Sequence, residues 1–138
     1  EELGKLLREK VPALEHIAPH VKSWLPPPPN GRRIRLAIIS NFLHGHTIGK
    51  LYQGLIRHLD QSVFEITLIR PAGAAVDHKS AELDSLVSSV VALPVDLTEQ
   101  QRRISDLALD ILFFPDIGMV PSTYLLAFSR FAPVQMVA

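Results

Sequence analysis

The sequence predicts an α/β fold: a doubly wound parallel sheet with flanking helices, preceded by a short helical segment. Three observations lead there. The stretches RIRLAIIS (33–40) and DILFFPD (110–116) are apolar runs too continuous for half-exposed strands, as in strands buried on both faces, and VFEITLIR (63–70) reads as a further strand. Between such runs the apolar residues recur at helical rather than alternating spacing. Strands alternating with helices imply right-handed crossovers, and hence parallel neighbours in one sheet.

Taken in order, Leu3, Leu6, Leu7, Val11, Leu14, Ile17 and Val21 recur at helical spacing, so residues 1–25 read as a separate helical segment. Pro12 and Pro19 interrupt it, which implies two short helices or one kinked helix. LPPPPN follows, and residues 26–31 read as a stiff, extended linker. Residues 32–138 are the α/β unit. Strand 33–40 leads into a helix whose inward stripe is Ile48, Leu51, Tyr52, Leu55, Ile56 and Leu59. Strand 63–70, a loop at 71–75, a helix over 78–89 and a short strand at 90–94 come next. Asp96 or Thr98 caps a helix through about Leu109. Strand 110–116 is stopped by Pro115, and Pro121 suits the first turn of a helix carrying Tyr124, Leu125 and Phe128 inward. APVQMVA (132–138) is a fifth strand with no turn or cap after it, which reads as the end of a fragment. Glu1 is not a natural start, so the segment before it reads as cut from something longer.

The bulk numbers exclude several classes. With 47% hydrophobic and 20% charged residues, the 138-residue chain is globular and long enough for one core. Fourteen basic side chains balance fourteen acidic ones, so nothing points to nucleic acid. The chain has no cysteine, which removes disulfides and thiolate chemistry and fits a reducing, cytoplasmic compartment. No apolar run is long enough to span a bilayer, so no membrane is expected.

Ligands of doubly wound sheets sit beyond the carboxyl ends of the strands. Two loops fall there: 41–47 after the first strand and 115–121 after the fourth. Residues 40–51, SNFLHGHTIGKL, hold His44 and His46 at a strand-to-helix corner. A Walker phosphate loop is rejected, because Gly45 and Gly49 are one residue too close and Leu51 replaces the magnesium-binding hydroxyl. The dinucleotide glycine fingerprint is absent, which disfavours a small nucleotide-binding module. His44 and His46 would face opposite sides if extended, and no carboxylate lies near them in sequence, so no metal site is expected. Acid–base or hydrogen-bonding work by His46 remains. Its place at a helix start, with Thr47 a possible N-cap, disfavours the charged imidazolium. The plainer alternative is a histidine that caps the helix or fills the loop. His16, His20, His58 and His78 read as structural, and Trp24 as an interface anchor. Asp116 either touches a ligand or organises its own loop, and Gly118 allows a left-handed turn or a close ligand approach.

Three segments resemble one family. IISNFLHGHTIGKL is similar to the first strand and loop of the O-linked N-acetylglucosamine transferases and SPINDLY-type glycosyltransferases, with Ser40 and His46 on the family's serine and histidine. DILFFPDIGM (110–119) resembles the intervening strand and turn, and RFAPVQMVA (130–138) resembles the Arg-Pro-Ala-Pro-x-Gln segment. The chain departs from the pattern at Phe42 (aspartate in the family), Gly118 (often histidine or tyrosine) and Phe131 (proline). The resemblance implies a Rossmann-like N-terminal half of a two-domain GT-B enzyme, with residues 1–25 the tail of a tetratricopeptide region and a possible contact to a helical-repeat neighbour. It implies transfer of an N-acetylglucosamine-like sugar or a hexose from a nucleotide-sugar to a protein acceptor, without a metal or other cofactor. His46 would be the catalytic residue, with His44, Gly45, Thr47, Asp116 and Gly118 binding substrate. The donor would be held mainly by the absent second half, leaving this chain inactive alone. A non-catalytic α/β scaffold that docks a partner is the alternative.

Overall fold

The computed structural model describes residues 2–138; the expectation about Glu1 lies outside the described residues. Five parallel strands form one sheet: β1 (Ile34–Ile39), β2 (Phe64–Arg70), β3 (Ser89–Ala92), β4 (Ile111–Phe114) and β5 (Val134–Val137). Their order is β3-β2-β1-β4-β5, so the winding direction reverses between β1 and β4. The helices are α1 (Glu2–Lys10), α2 (Thr47–His58), α3 (His78–Asp84), α4 (Leu97–Asp106) and α5 (Pro121–Leu126). This is the doubly wound, Rossmann-like arrangement that the apolar runs imply.

The alternation of side chains along β1 divides the core in two. Ile38 packs with Leu43, Ile56, Leu68 and Leu83 beneath α2 and α3. Ala37 and Ile39 pack with Leu112, Phe114, Ile104, Leu126 and Phe131 beneath α4 and α5. β1 is central, with Leu36 to Ile39 all buried, which explains why its sequence shows no polar face.

Several boundaries and faces differ from the sequence reading. α3 ends at Asp84 rather than 89, because Ser85 to Ser88 turn the chain into β3. Asp96, not Thr98, caps α4, its carboxylate accepting from Glu99 N. α5 is only six residues and buries Thr123 and Leu126; Tyr124, Leu125 and Phe128 are half-buried. On α2, Leu51 and Leu55 of the expected inward stripe are exposed. α2 and α3 leave the β4–β5 side of their face uncovered, and Leu55 borders an open groove there with Phe113 and Met136.

The N-terminal segment is helical only over Glu2–Lys10 and then becomes two 3-10 turns, Pro12–Glu15 and Pro19–Ser23. Each turn starts at a proline, which supplies no amide to a continuing helix. The segment is not separate: Leu14 and Ala18 are buried, and Ile17 bridges Arg130 in parallel. His16 Nε2 lies 2.8 Å from Ser105 Oγ, and His20 Nε2 lies 2.8 Å from the Leu109 carbonyl. Burial lowers the His16 pKa, which favours the neutral ring.

Asp110, at the foot of β4, ties this segment down. Its carboxylate accepts from Trp24 Nε1 at 2.5 Å, from Arg32 Nη1 and Nη2 at 2.6 and 2.8 Å, and from Arg35 N at 2.8 Å. Burial pushes the carboxyl up, but these four donors outweigh it and hold the pKa at about 2. A folded-state pKa below the ordinary value of 3.8 contributes stability that is present above pH 3.8 and is lost as pH falls through 2. The expected size is about 2 kcal/mol. Asp110→Asn should therefore lower stability at pH 7 by at least that amount and flatten the loss between pH 4 and 2. Urea unfolding across that range checks it; an unchanged acid limb in the variant would contradict the assignment.

Candidate functional site at the sheet switch point

The loops after β1 and β4 leave the sheet where its winding reverses, the place where ligands of such sheets bind. Asp116 joins them. It is buried, and its Oδ2 accepts from Ser40 Oγ at 3.0 Å and Asn41 N at 3.1 Å. Ser40 Oγ in turn accepts from Phe42 N at 2.9 Å, and Asn41 Nδ2 donates to Ser122 Oγ at 2.9 Å. Asp116 thus organises two loops at once. Burial raises its pKa against the hydrogen bonds from Ser40 and Asn41, and its Oδ1 has no partner among the described residues.

The rest of the first loop is fixed with equal density. Leu43 is buried in the core beneath α2. Its carbonyl accepts from Arg70 Nη2 at 3.2 Å, and that guanidinium also meets the Ser80 carbonyl and, at 2.6 Å, Asp84 Oδ1. Gly45 N donates to Asp77 Oδ2 at 2.8 Å. Asp77 also caps α3 through Ser80 N, and these two N–H groups lower its pKa. The sequence places no carboxylate near the histidines, but the fold brings Asp77 to 3.8 Å from His44 Nδ1.

His46, not Thr47, is the N-cap of α2; its Nδ1 accepts from Ile48 N at 3.2 Å. An N-cap needs a short side-chain acceptor two or three residues ahead of an amide, and imidazole supplies one here. An acceptor Nδ1 carries no proton, so the neutral ring bears its proton on Nε2. Phe42 stacks on this ring with centroids 4.4 Å apart and planes 30° from parallel. Ring packing on Phe42 and the bond from Ile48 N together fix how this imidazole lies. The His44 ring is 5.9 Å from that of His46. Among the described residues, no three His, Asp or Glu side chains form a metal-binding group.

Gly49 allows α2 to approach this loop. A Cβ there would come within 2.0 Å of the His44 carbonyl. Gly118 has φ +88° and stands third in a turn closed by Met119 N donating to Asp116 O at 3.1 Å. That is the position where a type II turn requires a positive φ, and nothing lies within 4 Å of a Cβ built there. The left-handed turn, rather than close approach of protein atoms, accounts for this glycine.

Of the expected residues, Ser40, His44, Gly45, His46, Asp116 and Gly118 lie on the two loops at this edge, and Thr47 is the first residue of α2. RFAPVQMVA does not: Val134 pairs with Ile111 at the opposite end of the sheet, and Gln135 closes its own loop onto Phe131 N and Ser129 O. Sequence reasoning missed Arg70, Asp77 and Gly49. Arg70 ends the strand expected over 63–70, and an arginine at the carboxyl end of a buried strand is the one available signal.

The fold and site define an α/β domain with two hydrogen-bonded loops at its switch point. Among solved structures, the chain is similar to a point mutant of the O-GlcNAc transferase of Thermobaculum terrenum, with a TM-score of 0.70 and 21% identity over 77% of this chain and 20% of that one. The likeness shows a shared fold, and the chain spans only 20% of that structure's length. No family model matches the sequence, and no curated protein does.

Two glycines of one helix test the packing. Gly49→Ala should destabilise by about 2 kcal/mol or more, because helix and loop must separate. Gly54→Ala, with open space around its Cβ, should stabilise by about 0.5–1 kcal/mol. Thermal unfolding of both reads the difference; equal effects would contradict the close approach.

Proposed function

We propose that residues 32–138 form the N-terminal Rossmann-like half of a GT-B glycosyltransferase, with residues 1–25 the tail of a helical-repeat region and 26–31 a linker. The enzyme would move an N-acetylglucosamine-like sugar or a hexose from a nucleotide-sugar to a protein acceptor in the cytoplasm. The observation that carries this reading is the placement of His46: a capped, Phe42-stacked imidazole on the switch-point loop of a fold shared with an O-GlcNAc transferase. The spacing of the Ser40 and His46 motif supports it. Among the described residues, no helix is long and apolar enough to cross a membrane.

The tautomer narrows the role. With Nδ1 held by Ile48 N, the neutral ring offers an Nε2–H, a donor rather than a base. His46 then donates a hydrogen bond to an oxygen of the sugar donor or acceptor, and charge developing on that oxygen strengthens the bond. Acting as a base through Nε2 would require the opposite tautomer and the loss of the cap. Asp116 and Gly118 shape the neighbouring loop, while His44, Gly45 and Thr47 border the same edge.

Label transfer from UDP-N-acetylglucosamine and UDP-glucose to protein tests the reading, using the parent polypeptide with both halves. His46→Ala should reduce transfer by about 10²–10³-fold, the usual consequence of losing one transition-state donor. The chain of residues 1–138 alone should be inactive. Undiminished transfer by the variant would return His46 to a purely structural role. No transfer from the parent with either donor would favour the scaffold reading.

A further inference from the structure

A cavity of about 610 Å³ lies at the opposite, N-terminal edge of the sheet, away from the switch point. The Pro26–Pro29 arch and Trp24 form one wall; Ile34, Val63, Ile111 and Val134 form the other. We propose that it binds a compact amphipathic anion, an apolar body of aromatic size carrying one carboxylate or sulfonate. This site is independent of the proposed transfer chemistry.

The arch is rigid. Gly31 N donates to the Pro28 carbonyl at 2.8 Å, and Asn30 sits third in that turn at φ +62°. Proline second and a positive φ third are the requirements of a type II turn. A Cβ on Gly31 would meet the Pro28 ring at 2.8 Å, so the turn is closed as tightly as a glycine permits. Trp24 is fastened by its indole N–H to Asp110, and Asp110 is fastened to the neighbouring strands, its N donating to Arg35 O of β1 and its O accepting from Val134 N of β5. Walls of this kind cannot collapse into the space between them. An apolar guest that fills such a space gains contacts the walls cannot make with each other. The volume is that of small-molecule sites, which hold an apolar body and orient it with a few polar groups.

Charge selects the head group. The lining holds Arg32, Arg33 and Asp110. Asp110 and Arg32 neutralise each other in a two-pronged ion pair, and the remaining acceptor capacity of Asp110 goes to Trp24 and Arg35 N. Arg33 is less committed. It donates to the Gln61 carbonyl at 3.1 Å and stands 3.5 Å from Glu65, with both side chains of that pair two-fifths exposed. A guanidinium has five N–H donors in a planar fork, so Arg33 can receive an anion at the rim. A cationic head would meet Arg33 without a free carboxylate in the lining.

The chain's single tryptophan is in the wall, so its fluorescence reads occupancy. The probes are anilinonaphthalene sulfonate and its uncharged analogue phenylnaphthylamine, titrated into the folded chain. The sulfonate should bind saturably, one probe per chain, quenching Trp24 by energy transfer, with the uncharged analogue about tenfold weaker. Arg33→Gln should bring the sulfonate to the level of the analogue. Val63→Phe and Val134→Phe should each abolish binding of both. These two valines are 43% and 44% exposed, so a larger side chain there leaves the core untouched, and an unchanged melting profile confirms it. Non-saturable quenching, equal affinity for the two probes, or full binding by both phenylalanine variants would overturn the proposal. The last result would also mean that the probe sits in the smaller groove beside Leu55, Phe113 and Met136.

Discussion

The contact of Gly49 with the His44 carbonyl sets the geometry of the switch-point edge. A helix normally keeps its first turn at side-chain distance from the loop that feeds it. Here the missing Cβ lets α2 lie directly on that loop, and Ile48 N comes within reach of the His46 ring. A larger residue would push the helix away, separate the cap, and release the imidazole from both Ile48 and Phe42. Glycine costs about 1 kcal/mol of helix propensity at such a position. The capping bond offsets a comparable amount, since an N-cap contributes about 1 kcal/mol.

Buried polar groups then hold the loop against the sheet. Asp116 and Arg70 reach it from opposite sides, one from the loop after β4 and one from the end of β2. Each keeps one buried polar atom without a partner among the described residues, Oδ1 on Asp116 and Nε on Arg70. Burying a carboxylate and a guanidinium this incompletely satisfied is costly. A fold stabilised only by its apolar core would have little use for them here, and their concentration around one loop marks it as the part whose shape is maintained at a cost in stability.

The sheet was legible because β1 and β4 lie in near-continuous apolar runs, a pattern that few other elements produce. Helix existence was legible from stripes and prolines, but helix faces were less so. Leu51 and Leu55 belong to the stripe of α2 yet stay exposed, because no helix stands beside α2 over β4 and β5, and Leu55 borders an open groove there with Phe113 and Met136. The N-terminal segment misled for a different reason. Its apolar residues fit a helical period, but Pro12 and Pro19 break the backbone into 3-10 turns while Leu14 and Ala18 still become buried. At the site, His46 and Asp116 could be placed from strand ends alone. Asp77 could not, because its approach to Gly45 and His44 depends on how β2 and α3 bring a distant loop back across the edge. The terminal motif marks a structural turn at the far edge, where Gln135 and the backbone of Arg130 hold the N-terminal segment and β5 together.

Nitrogen NMR of the His46 ring, in this chain at neutral pH, tests the central claim most directly. The account expects a neutral imidazole with an unprotonated, hydrogen-bonded Nδ1 and a protonated Nε2, because Ile48 N donates to Nδ1. A ring protonated at Nδ1 instead would mean that the cap is not formed, that α2 does not rest on the loop as described, and that His46 is not the fixed donor on which the functional reading depends.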